Sequence, residues 1–227
     1  MFLGHFAAGL AAKRVAPALS LGALFAAAQG ADLLWPNLLL AGAERVEIRP
    51  GLTAVNPLDF VSYPWSHSLA ALALWGAAAA LAVRALGFGW RAAAVIWAAV
   101  VSHWLLDVAS HVPDLPLAPG LGARLGLGLW HSRPATLVVE LGLLALGLAL
   151  YLRTTRARDG IGRFGLAGLV ALLVGIYLAS FYGPPPPDTR VLAWSAQAVW
   201  LFVALGWWVD RHREPRAPGR TPSRSPA

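Results

Sequence analysis

Cysteine is absent from this sequence, and charge is scarce. Without a thiol there can be no disulfide, no thiolate-bound metal and no cysteine nucleophile. Only 13% of the 227 residues are charged, while 58% are hydrophobic and the mean hydropathy is +0.60. A soluble domain of this length carries more charge than that. There is also no internal repeat, so a single domain suffices.

What the chain has instead is a series of apolar runs near the roughly 20 residues that a helix needs to cross a hydrocarbon core. Seven can be read: Phe2 to Ala12, Ala18 to Leu40, Pro64 to Leu86, Trp90 to His111, Pro134 to Leu152, Phe164 to Tyr182 and Val191 to Val209. The first is too short to span comfortably. The expectation is an all-α, polytopic membrane bundle of about six full transmembrane helices plus a short N-terminal helix. Residues 1–212 form that domain, with loops at 43–63 and 113–133, and 213–227 are expected to be a disordered basic tail. "AAAQGAD" has the small residues of a signal-peptide cleavage site, but Lys13 and Arg14 lie too far in, and Trp35 to Leu40 prolong the apolar run.

Basic residues set the expected orientation. Of 18, only Arg45, Arg49, Arg124, Arg133 and Arg190 fall on one face of the membrane; the rest fall on the other. The richer face is expected to be cytoplasmic, which puts the C-terminus inside and both long loops outside. The net charge of +7 then mostly reflects orientation in the membrane, expected to be the cell's inner, cytoplasmic membrane. Membrane lipids are the expected partners, and a nucleic-acid surface is not implied.

Ionisable groups gather in the outward half. "VSHWLLDVASH" puts His103 and Asp107 on one helical face a turn apart, with His111 following at the rim. Asp32 lies in the outward half of the second run, His67 at the outer end of the third, and Glu140 within two turns of the outer end of the fifth. The inner halves read as apolar. An unpaired charge at bilayer depth costs between about 3 and about 15 kcal/mol, so such groups pair, ligate or function. An interhelical hydrogen bond is the plain alternative for His103 and Asp107, a salt bridge for Asp32, and helix capping for His67 and His5. Imidazole with carboxylate and no thiolate is also a ligand set for Zn²⁺, with Fe²⁺ or Mn²⁺ as alternatives.

In order along the chain, Gly4-His5, Asp32, Ser66-His67-Ser68, Ser102-His103 with Asp107, and Leu129-Trp130 resemble the motifs of the YdjM-like family. These are membrane-bound metal-dependent hydrolases, also labelled LexA-binding inner-membrane-associated hydrolases. The resemblance covers about the first 135 residues. The chain departs at Leu34, where the family has a second aspartate, and at Ser62 to Pro64, where it often has His-Arg-Gly; this speaks against a second metal. The resemblance implies a hydrolase with His5, Asp32, His67, His103 and Asp107 around a divalent metal. Glu140 or an aspartate would serve as general base, and a lipid-linked or amphiphilic ester or phosphoester as substrate. A transporter or a haem-binding protein using the same cluster is the competing expectation.

Overall fold

In a hydrocarbon layer a backbone must satisfy its own N–H and C=O groups, so apolar runs of this length become helices. The computed structural model describes residues 1–216. Ten α-helices dominate it. They are α1 (Leu3–Ala12), α2 (Leu21–Ala28), α3 (Gly30–Leu40), α4 (Pro64–His67), α5 (Leu69–Ala85), α6 (Trp90–Ser110), α7 (Arg133–Thr154), α8 (Leu166–Tyr182), α9 (Thr189–Ala196) and α10 (Val199–Arg211). Four stretches are long and apolar enough to cross a membrane: α6, α7, Ile161–Tyr182 and Thr189–Arg211. Their outward faces are apolar, with Leu105, Val138 and Phe164 exposed by 60%, 73% and 69%. Such surface is at home in lipid and costly in water.

Three of the expected continuous helices are broken. The 18–40 run divides at Gln29, whose φ of −98° and ψ of 11° leave the helical region. The 64–86 run divides at Ser68, which is extended and caps α5 by accepting a hydrogen bond from Ala71 N–H. The 191–209 run divides between Ala196 and Val199. Apolar composition could not report these breaks: only the one at Ser68 carries a side-chain cap, and none interrupts the hydropathy of its run.

The chain is also not purely helical. Antiparallel pairs form between β1 (Arg45–Ile48) and β2 (Leu58–Ser62), between β3 (Leu115–Pro116) and β4 (Arg124–Leu125), and between β5 (Thr155–Ala157) and β6 (Arg213–Pro215). The first two pairs structure the two long loops. The third corrects the expected tail: Arg213 is buried and donates to Thr155 Oγ1 at 3.0 Å and Gly162 O at 2.5 Å. Of that tail, residues 217–227 lie outside the described residues.

Close packing at glycine places the site-bearing helices. A Cβ on Gly147 of α7 would sit 2.5–3.0 Å from the Ala7 backbone of α1, so only glycine lets these helices approach. The N-terminal ends of α1, α5 and α7 and the C-terminal end of α6 then meet at one end of the bundle.

The opposite end is not as apolar as expected. Lys13 and Asp210 are buried and paired, Nζ to Oδ2, at 2.5 Å, with side chains 6% and 8% exposed. Lys13 also donates to Leu19 O, while Tyr151 O–H and Leu21 N–H donate to Asp210. Four segments are tied together there. Replacing Lys13 with methionine leaves Asp210 buried without its counter-charge and should destabilise the protein by about 3–5 kcal/mol, read from denaturant unfolding in detergent.

Sidedness is testable because the chain has no native cysteine. Single cysteines at Leu121 and Arg158, both exposed and on either side of α7, should react with an impermeant thiol reagent from opposite faces. From the basic-residue asymmetry, Leu121 is expected to label from outside. Labelling of both from one face would mean that α7 does not cross.

Candidate metal centre

Two histidines of the cluster, His67 and His103, are each oriented by an acceptor that lies away from the cluster. His103 lies one turn before Asp107 on the buried face of α6, and its Nδ1 is 2.8 Å from Ala28 O. That carbonyl ends α2 at the Gln29 break, so it has no partner within the helix. A carbonyl only accepts, so Nδ1 carries the proton and Nε2 presents a lone pair. His67 follows the same logic through a longer relay. Glu44 is buried in the turn between α3 and β1, where it accepts hydrogen bonds from Trp65 N–H, Ser66 N–H and Ser66 O–H at 2.6–2.9 Å. With its proton committed to Glu44, Ser66 Oγ accepts from His67 Nδ1–H at 2.7 Å. His67 Nε2 is therefore also a lone pair. Such outer partners fix the tautomer of metal-binding histidines.

Both lone pairs face carboxylate oxygens. His103 Nε2 is 3.1 Å from Asp107 Oδ2 and 3.8 Å from Asp32 Oδ1. His67 Nε2 is 3.5 Å from Asp32 Oδ1 and 4.0 Å from Asp107 Oδ2. Four donors at about 2.1 Å from one ion in a tetrahedron are separated by about 3.4 Å, and these spacings bracket that value. His103 Nε2 is fully buried and makes no hydrogen bond, because Asp107 Oδ2 lies off the direction in which an N–H would point. Acceptors converging on acceptors in a desolvated space repel one another unless a cation sits among them. Two overlapping sets of ligand-type side chains, His5–His103–Asp107 and Asp32–His67–His103, are close enough to hold a metal ion.

All five residues expected as ligands thus come together, but not in equal positions. His5 meets the other oxygen of Asp107, Nε2 to Oδ1 at 3.0 Å, and its ring stacks on His103 at 3.6 Å between centroids. The Met1 amino nitrogen also contacts Asp107 Oδ1. His5 is therefore placed to steady Asp107 as well as to ligate.

Glu140 is not placed as expected for a free base. Its carboxylate accepts from Phe2 N–H and Gly4 N–H, each at 3.1 Å, and so caps the start of α1. His111, expected at the rim, is instead buried among Phe60, Tyr63 and Trp130. Its Nδ1 is 3.0 Å from Asp114 Oδ1, which also accepts from Tyr63 O–H at 2.8 Å, and its Nε2 is 3.8 Å from Asp107 Oδ2. His131 stays exposed, and His212 pairs with Asp159 far from the cluster. The orienting groups Glu44, Asp114 and the Ala28 carbonyl had no sequence signal beyond the three-residue spacing of Asp114 from His111.

These features define a helical membrane protein with a buried His/Asp cluster that could hold a metal ion. Comparison with family models, with curated proteins and with solved structures finds no match.

The relay to His67 separates orientation from ligation. Ser66→Ala should weaken metal binding by about 10–100-fold, whereas His103→Ala should abolish stoichiometric binding. Metal titration of detergent-purified protein checks both. Full occupancy in His103→Ala would remove the centre.

Proposed function

We propose that the chain is an integral-membrane, metal-dependent hydrolase of the YdjM-like kind. On this reading it sits in the inner membrane with its centre toward the outer leaflet, its C-terminus in the cytoplasm and an amphiphilic ester or phosphoester as substrate. The observation that carries it is the convergence of two oriented imidazole lone pairs on two carboxylates, Asp107 buried and Asp32 half-buried, beside an open cavity. Asp32, His67, His103 and Asp107 would hold the ion, Zn²⁺ before Fe²⁺ or Mn²⁺, with His5 steadying Asp107. A bound divalent ion supplies a nucleophilic water at neutral pH and polarises the scissile bond.

The remaining chemistry belongs to the chain. His111 lines the cavity with Nε2 toward the cluster and Nδ1 held by Asp114, so it is the group placed to carry a proton from water to the leaving oxygen. Glu140 lines the same cavity, but its oxygens are engaged by the α1 amides, and we assign it to anchoring α1 and thereby His5.

The competing readings have less support. The parallel His5 and His103 rings leave no slot between them for a porphyrin. An ion pathway needs polar groups linking the two ends. Between His5 and Lys13, however, α1 offers only Phe6 to Ala12, a gap of about 12 Å along the helix.

Purified protein should hydrolyse long-chain esters or phosphoesters in a chelator-sensitive manner. His111→Asn should keep its metal and lose about 10²–10⁴-fold in kcat, while Glu140→Gln should lose thermal stability before it loses turnover. Hydrolysis that is indifferent to chelator would sink the metal-dependent reading.

A further inference from the structure

A cavity of about 520 Å³ starts at Asp32, His67 and Asp107 and extends away from them between helices. Its far wall is apolar, built from Phe2 of the N-terminal segment, Ile176 and Phe181 of α8, and Val199 and Phe202 of α10. The α8 helix meets the rest of the bundle along one stripe, Leu166, Leu169, Leu173, Tyr177 and Phe181, flanked by the half-buried Val170, Val174 and Leu178. At the mouth stand small, exposed residues: Ala179 and Ser180 on α8, and Ser195 and Ala198 at the α9–α10 break. The exposed lip of the cavity therefore lies at a seam between two stretches that are each long and apolar enough to cross a membrane.

The polar groups along this cavity select what enters. No lysine or arginine is among the described residues that line it. Two aspartates would be neutralised by a divalent ion, and the charge of Glu140 is set against the Met1 amino group, which is already engaged by Asp107. A phosphate group brought in from the seam would meet no free cation, and leaving its charge unpaired in that space is costly. Two neutral donors on the wall, however, lack partners: Trp35 Nε1–H and Tyr177 O–H are buried and make no hydrogen bond. Their residues are 6% and 5% exposed. Neutral donors in an apolar wall suit a neutral acceptor such as an ester carbonyl.

We propose that this cavity seats a neutral carboxylic-ester lipid of the diacylglycerol type. Its acyl chain lies in the α8/α9–α10 seam and its ester carbonyls reach Tyr177, Trp35 and the His/Asp cluster. The reactive end of this proposal rests on the hydrolase reading; the lipid seat rests on the cavity. Hydrolysis there forms a bond from water oxygen to the acyl carbon and breaks the ester C–O bond. A fatty acid and an alcohol leave, and the water proton ends on the alcohol oxygen.

The test uses the full chain in lipid nanodiscs with a photoactivatable diacylglycerol, and separately a phosphatidic acid bearing the same chain. The diacylglycerol probe should label peptides within 176–202, and unlabelled diacylglycerol should compete at least about 10-fold better than phosphatidic acid. Ala179→Trp and Ser195→Trp, both at exposed lips, should each cut labelling about 10-fold without changing metal content. His103→Ala should lose metal and keep the labelling. Equal or better competition by phosphatidic acid, or labelling spread evenly over lipid-facing helices, would overturn the proposal. Seam labelling in a protein that hydrolyses no ester would leave the lipid seat standing and remove the hydrolase reading.

Discussion

Four lone-pair donors, from Asp32, His67, His103 and Asp107, point into one desolvated space, and much of the architecture at that end of the bundle serves to hold them there. Left alone, such a set is electrostatically unfavourable: two carboxylates share a region of low dielectric with imidazole nitrogens whose protons face the other way. A divalent cation reverses the sign of every one of these interactions. The cluster is therefore stable in proportion to how firmly it is held, and useful in proportion to how little it can relax in the absence of positive charge.

That firmness comes from irregularities in the helices. The break at Gln29 frees the Ala28 carbonyl that orients His103. The break at Ser68 ends α4 immediately after His67, where Glu44 and Ser66 fix the ring. A continuous helix through Gln29 would have kept the Ala28 carbonyl for itself, whereas the Trp65 and Ser66 amides are open to Glu44 because they lie in the first turn of α4. Glu140 does comparable work on the N-terminal side by capping α1, and Gly147 lets α7 come close enough to α1 for Glu140 to reach its first amides.

The two ends of the bundle are polar for different reasons. The Lys13–Asp210 pair, with Tyr151 and Leu21, is internally neutral and closed by the β5–β6 pair. It ties segments from both ends of the chain and leaves no donor set free for a ligand. The His/Asp end has an excess of acceptors and an open cavity beside it. An apolar layer that includes Phe6, Leu10, Phe25 and Phe202 lies between them, so each end can be altered with little electrostatic effect on the other.

The sequence by itself determined that the chain is helical and apolar enough for a membrane, since hydropathy over 20 residues is a property of composition. It also determined which ionisable residues gather at one end: His103 and Asp107 through their four-residue spacing, and His5, Asp32 and His67 through their depth in separate runs. Helix ends are where it went astray, because apolar runs 18–40, 64–86 and 191–209 carry no hydropathy mark at Gln29, Ser68 or the α9–α10 break. Only the tertiary structure decided which atoms of those residues meet, that His111 is buried against Asp114, and that Glu140 caps α1. Of the orienting partners, Glu44 lies 22 residues from Ser66, through which it holds His67, and the Ala28 carbonyl lies 75 residues from His103. The protonation pattern of an imidazole is fixed by whatever stands behind it in space, and no spacing along the chain reports that.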